Sequence, residues 1–215
     1  MRRRVALKNI GLSLGYMAAT PTLISLAQSC KSKPLLDWNP EFFSEGQANV
    51  LTKLVDIIIP KTDTPSASEM GVPQFMDAYL SSAASPEDQN FMKMSMDVFT
   101  NKALKDSGKS DASDLTEEDL EPVLAAGLKV EDADKGVFYD SINSYKEAVS
   151  QGQAPALEEG ASVFAFANDL RGSVIHAYRI SEYVGEEVLA YLPVPGMYVP
   201  CGDVNELSGG KAWSL

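Results

Sequence analysis

The sequence predicts an all-α fold: one domain of about six helices followed by an extended, Pro-rich C-terminal arm. Three observations predict it. Apolar residues recur at three- and four-residue spacing in six successive segments, each opened or closed by a capping or breaking residue. No segment keeps up the period-two alternation of a half-buried strand. The last part of the chain gathers prolines, which remove backbone donors and leave only extended or turned conformations.

Residues 1–29 read as an export leader ahead of Cys30. Arg2, Arg3, Arg4 and Lys8 form a basic start, and an apolar stretch and small residues follow. Gly11, Gly15 and Pro21 break the apolar stretch, which makes it a poor membrane span. Arg3 and Arg4 with Leu7 and Lys8 resemble the twin-arginine signal, with Ala6 where a Phe is usual. That route carries proteins already folded. Ala27-Gln28-Ser29-Cys30 resembles a lipobox, so Cys30 is the expected site of lipid attachment. Gln28 is unusual there, and Leu26 sits one place early. The expected location is the periplasmic side of a bacterial envelope, as a membrane-anchored lipoprotein.

Residues 30–43 read as a linker and 44–215 as the folded domain. Ser44 with Gln47 forms a capping box for the first helix, whose stripe is Val50, Leu51, Leu54, Val55 and Ile58, stopped by Pro60. A Pro-, Ser- and Thr-rich loop leads to Pro73, which suits a first helical turn, with Phe75, Met76, Tyr79 and Leu80 as the expected buried stripe. Ser85-Pro86 starts a third helix carrying Phe91, Met94, Val98 and Phe99. The polar segment 106–114 reads as a surface loop. Thr116 with Asp119 caps the fourth helix, and Leu115 and Leu120 suit a hydrophobic staple. The fifth helix covers about 131–150, with Phe138, Ile142, Tyr145 and Val149 in register. The sixth covers about 158–183, with Val163, Phe164, Ala167, Leu170, Val174 and Tyr178. A short helical turn follows over 185–191, and the arm begins at about 192.

Composition limits the function. Of the 18 basic residues four lie in the leader, which leaves 14 against 30 acidic ones, a formal charge of −16 from Cys30 onward. Such a body is repelled by phosphate backbones and anionic headgroups, so nucleic acid is excluded as a partner and membrane attachment should be a tether. Two cysteines make neither a disulfide framework nor a zinc site. If Cys30 is acylated, Cys201 is left over, and reads as a buried thiol or a disulfide to another chain. The arm's aromatic and proline content favours an interface, with Tyr191, Pro193, Pro195, Tyr198 and Cys201 as its expected partner-facing residues.

No catalytic set emerges. His176, the single histidine, could share a helix face with Ser173 and Asp169, but one face points side chains outward in parallel, whereas a triad needs them to converge. Asp132, Asp134 and Gly136 resemble a calcium loop, yet the Gly is one position early and the twelfth position is Asn143. Glu117, Glu118 and Asp119 suit a helix dipole better than a metal. There is no phosphate loop, dinucleotide fingerprint or haem attachment site.

One stretch carries a family resemblance. Ile58, Ile59, Pro60, Thr62, Asp63, Pro65, Ala67, Gly71, Val72, Pro73, Phe75 and Asp77 resemble the N-terminal signature of the gluconate 2-dehydrogenase subunit 3 family, with Ser66-Ala67 where Gly-Ala is frequent. The tail "YRISEYVGEEVLAYLPVPGMYVPCGDV" resembles that family's C-terminal pattern, and the likeness covers roughly 40–205. It implies a small accessory subunit, without flavin or haem of its own. Its partner would be a large FAD-dependent dehydrogenase of the glucose–methanol–choline type that oxidises sugars or polyols. In some complexes a cytochrome c subunit joins. The dehydrogenase activity would reside in the partner, and the small subunit would assist its folding and export. The alternatives are an envelope lipoprotein that binds or scaffolds without a flavoprotein, and a stand-alone enzyme using Asp or Glu chemistry.

Overall fold

A computed structural model describes residues 36–194, 196–197, 199 and 201–214. Export-signal residues Arg3, Arg4, Leu7 and Lys8, the lipid-attachment candidate Cys30, and the arm residues Pro195 and Tyr198 lie outside the described residues. The described chain is helical: α1 (Glu45–Ile58), α2 (Val72–Ser82), α3 (Pro86–Ser107), a 3₁₀ turn (Ala112–Asp114), α4 (Glu117–Leu128), α5 (Asp132–Ser150), α6 (Glu159–Arg179), a π turn (Val184–Val188) and the short α7 (Val204–Ser208). Asp132 and Asp134 sit in the first turn of α5, so the calcium-loop pattern is helical backbone.

Caps start these helices where the residues predict. The Gln47 N–H donates to Ser44 Oγ, and the Ser44 N–H donates back to Gln47 Oε1 at 3.0 Å. Ser85 Oγ accepts from the Asp88 N–H, with Pro86 at the first helical position. At α2 the N-cap is Gly71, at φ 71°, a left-handed conformation that costs a residue with a Cβ about 1 kcal/mol or more.

Helix α6 is the centre of the helical unit that begins at Leu36. Its first half is buried almost all round, through Ala161, Val163, Phe164, Phe166 and Ala167, and the other five long helices pack against it. The main core joins Leu51 and Leu54 of α1, Met96 and Phe99 of α3, Leu120 of α4, and Phe166 and Leu170 of α6. Phe99 and Phe166 meet at 4.9 Å between ring centres. A smaller cluster under α5 joins Phe91, Ile142 and Phe164, with Phe138 and Tyr145 at its edge.

Four details differ from the sequence expectation. On α3 the buried stripe is Phe91, Ser95, Met96 and Phe99, and Met94 and Val98 are only half-buried. On α2, Phe75 and Tyr79 are exposed, and the buried positions are Val72, Pro73, Met76, Asp77 and Leu80. Helix α6 stops at Arg179, because the Ser181 N–H and hydroxyl both turn back to the Tyr178 carbonyl. Residues 36–43 carry no helix, yet Leu36, Trp38 and Phe42 pack on the core and Phe43 is buried in it.

The turn before α4 concentrates charge. Asp119 accepts from the Thr116 N–H at 2.7 Å and from the Lys109 ammonium. The Lys109 bond, then the Thr116 bonds, bring the Asp119 carboxyl from 3.8 down to about 2. Lys53 donates to the Leu115 carbonyl beside it, and its burial, then the nearby Lys109, lower its ammonium from the ordinary value. A carboxyl depressed by folding contributes stability above its unfolded pKa and loses it as pH falls toward the folded one. Wild type should therefore be more stable than Asp119→Asn at about pH 5, and the gap should close toward pH 2. Urea midpoints of the two proteins across that range check this, and a gap independent of pH would refute it.

Candidate functional site

The loop between α1 and α2 is fixed from three sides. Ile59 accepts from the Ala67 N–H, and Ala67 from the Val72 N–H. Asp56 of α1 accepts from the Ser68 N–H at 2.8 Å and from the Ser68 hydroxyl at 2.6 Å. Tyr178 of α6 donates its hydroxyl to the Pro65 carbonyl at 2.8 Å and lies 3.1 Å from Thr64 Oγ1. The N-terminal signature and the Tyr that opens the C-terminal pattern are thus in direct contact. Asp77, 2% exposed, accepts from the successive N–H groups of Glu41, Phe42 and Phe43 at 2.6, 3.1 and 2.9 Å. Of the signature residues, Asp77 holds backbone through its side chain, while Ile59, Pro65, Ala67 and Val72 take part through their backbone groups.

The C-terminal arm is only partly extended. Residues 191–194 have no regular structure, but Val204–Ser208 is helical and the chain then returns to its starting point. The Ala190 N–H donates to the Ala212 carbonyl and the Ser214 N–H to the Ala190 carbonyl, at 2.8 and 2.9 Å. Asp203 caps the short helix through the Asn205 N–H. The sequence signal was Asp203 followed by Gly209, a cap and a left-handed stop that the prolines upstream masked.

Tyr191 and Pro193 are exposed on this loop, as is Cys201, a free thiol, which removes the buried-thiol reading. Val194 and Met197 stand 78% and 89% exposed, and Trp213 is half-exposed on the returning segment. Single apolar residues on a surface mean little, but here Tyr191, Leu192 and Val194 are exposed close together along one loop.

A groove runs along α6, walled by α2 and α3. It has two adjoining basins of about 370 and 440 Å³ that share Tyr79, Leu80, Met92, Gly172 and Ser173. The first is lined mainly by apolar side chains and reaches His176; the second ends at Asp88, Lys146 and Asp169. Desolvation against the groove walls raises the Asp169 carboxyl above its ordinary value; Lys146 opposes this and Asp88 adds to it. Asp169, Ser173 and His176 all line this groove from the one helix, and no hydrogen bond joins them among the described residues. They do not form a relay.

Among the described residues no helix is long and apolar enough to cross a membrane, and no group of three or more His, Cys, Asp or Glu side chains is placed to hold a metal ion. Comparison with protein families gives one informative result. The family model described as gluconate 2-dehydrogenase subunit 3 matches residues 45–196, from the first residue of α1 into the C-terminal loop. No curated protein and no solved structure gives a match.

Proposed function

The chain belongs to the gluconate 2-dehydrogenase subunit 3 family, and from that premise we propose that it is a non-catalytic small subunit which binds a large FAD-dependent dehydrogenase and escorts it through export. The observation that carries this reading is the extent of the match, which takes in all six long helices. The partner would be a sugar- or polyol-oxidising flavoprotein of the glucose–methanol–choline type. The flavin belongs to that partner, and a cytochrome c subunit would accept its electrons in complexes that contain one.

Two features support the escort role. A flavoprotein must fold around its cofactor before it crosses a membrane, and Arg3 and Arg4 belong to a signal of the kind that moves folded cargo. The apolar C-terminal loop, with Tyr191, Pro193 and Cys201 at its surface, offers a contact that the other described residues leave open. Acylation of Cys30 would tether the pair to the periplasmic face of a membrane. With Arg3 and Arg4 both changed to Ala, the flavoprotein should stay in the cytoplasm. Its export at the wild-type level would remove the escort role. Non-reducing gels of the native complex should show a crosslinked band that Cys201→Ser abolishes; no band in wild type would end the disulfide. A lipoprotein scaffold acting alone would instead be isolated with no flavin absorbance.

A further inference from the structure

We infer that the groove along α6 receives an arginine or lysine side chain from a partner protein, at a docking site distinct from the C-terminal loop. The inference rests on the accessory-subunit reading for the existence of that partner. Phe75 and Tyr79 have the helical spacing of core residues, yet they are 44% and 55% exposed and form a wall of the groove. Their rings lie nearly parallel, at 17°, with centres 6.4 Å apart. Across from them α6 presents Gly172, where an added Cβ would meet nothing within 4 Å. This part of α6 therefore leaves open space facing the aromatic wall.

The charge at the far end selects the occupant. Asp169 makes no hydrogen bond or ion pair among the described residues, and it lines the same basin as Asp88. Lys146 is the one lysine or arginine among the described residues lining the groove, and its ammonium is held 4.7 Å from the centre of the Phe91 ring. An aromatic wall suits an aliphatic stem and a cationic head, and two carboxylates with one nearby lysine leave room for a further positive charge. An anion would meet Asp88 and Asp169. A second copy is disfavoured, because the chain from Cys30 onward carries a formal −16 and repels itself.

The test uses the full-length chain, affinity-tagged and expressed in its native host, with flavin absorbance of the eluate reporting the partner. Gly172→Trp fills the groove, Asp169→Lys reverses its charge, and Gly172→Ala leaves the space nearly open. Wild type and Gly172→Ala should retain the flavoprotein, while Gly172→Trp and Asp169→Lys recover about tenfold less at an unchanged thermal midpoint. Asp169 is accessible, so its variant carries the test should Gly172→Trp fold poorly. Full recovery with both variants would overturn the groove contact and leave the accessory-subunit reading intact. No flavin with wild type would overturn both. Light scattering that shows a dimer in wild type and a monomer in Gly172→Trp would assign the groove to a second copy and overturn the proposal.

Discussion

Asp77→Ala should lower the unfolding free energy of the protein by about 3–5 kcal/mol, because it strands three backbone donors at once. The carboxylate is 2% exposed and receives the N–H groups of Glu41, Phe42 and Phe43. A buried donor without a partner costs about 1–3 kcal/mol. Phe43 N–H is the most deeply placed, while water can reach the other two after the side chain is gone. The loss would also release residues 36–43, whose Leu36, Trp38 and Phe42 pack on the core. Asp77→Asn should cost about half as much, since one oxygen remains for Phe42 and Phe43 while the amide NH₂ faces Glu41 N–H. Urea unfolding measures both, and Trp38 fluorescence should shift to the red in the native baseline of the Ala variant. A loss below about 1 kcal/mol for Asp77→Ala would mean that the carboxylate is not what fixes this segment.

That carboxylate also shows which parts of the fold the residues disclose in advance. Helix starts are legible because a cap is a local event: Ser44 with Gln47, and Ser85 with Asp88, complete their bonds within three residues. The stripe of α6 is legible because a central helix shows the same periodicity to every neighbour, and all six expected core residues from Val163 to Tyr178 are buried. Asp77 is not legible in this way, since its partners lie more than thirty residues upstream and the polar side chain sits in what reads as an apolar stripe. Phe75 and Tyr79 fail for the opposite reason. Spacing tells which residues share a face of α2 but not whether another helix covers that face, and here the groove leaves it open. The prolines of the tail describe the backbone locally and say nothing of the bridge from Ala190 to its returning end.

Gly127 is the least legible position and carries the second large effect. It lies in the last turn of α4, where a glycine reads from sequence as a plain loss of propensity. In the structure α4 crosses α6 at this point. A Cβ on Gly127 would lie 2.7 Å from the Ala167 Cβ and 2.9 Å from the Val163 carbonyl oxygen. Neither is the mobile end of a side chain, so the helices themselves must separate. The Gly127 carbonyl also accepts from Asn168 Nδ2 at 3.4 Å, a bond that separation would break. Overpacking of this kind costs about 1–3 kcal/mol and sometimes more, against a propensity gain of about 1 kcal/mol. Gly127→Ala should therefore destabilise the protein by about 2 kcal/mol net, and Gly127→Val by more. Gly136 of α5 supplies the contrast, since nothing lies within 4 Å of its added Cβ. Gly136→Ala should stabilise by about 0.5–1 kcal/mol through propensity alone. Adding Ala167→Gly to Gly127→Ala should relieve the Cβ contact but not the clash with the Val163 carbonyl, so the two changes together should cost less than the sum of their separate losses. Thermal and urea unfolding of the four variants read these signs directly. A stabilised Gly127→Ala would show that α4 and α6 can part at this crossing without cost.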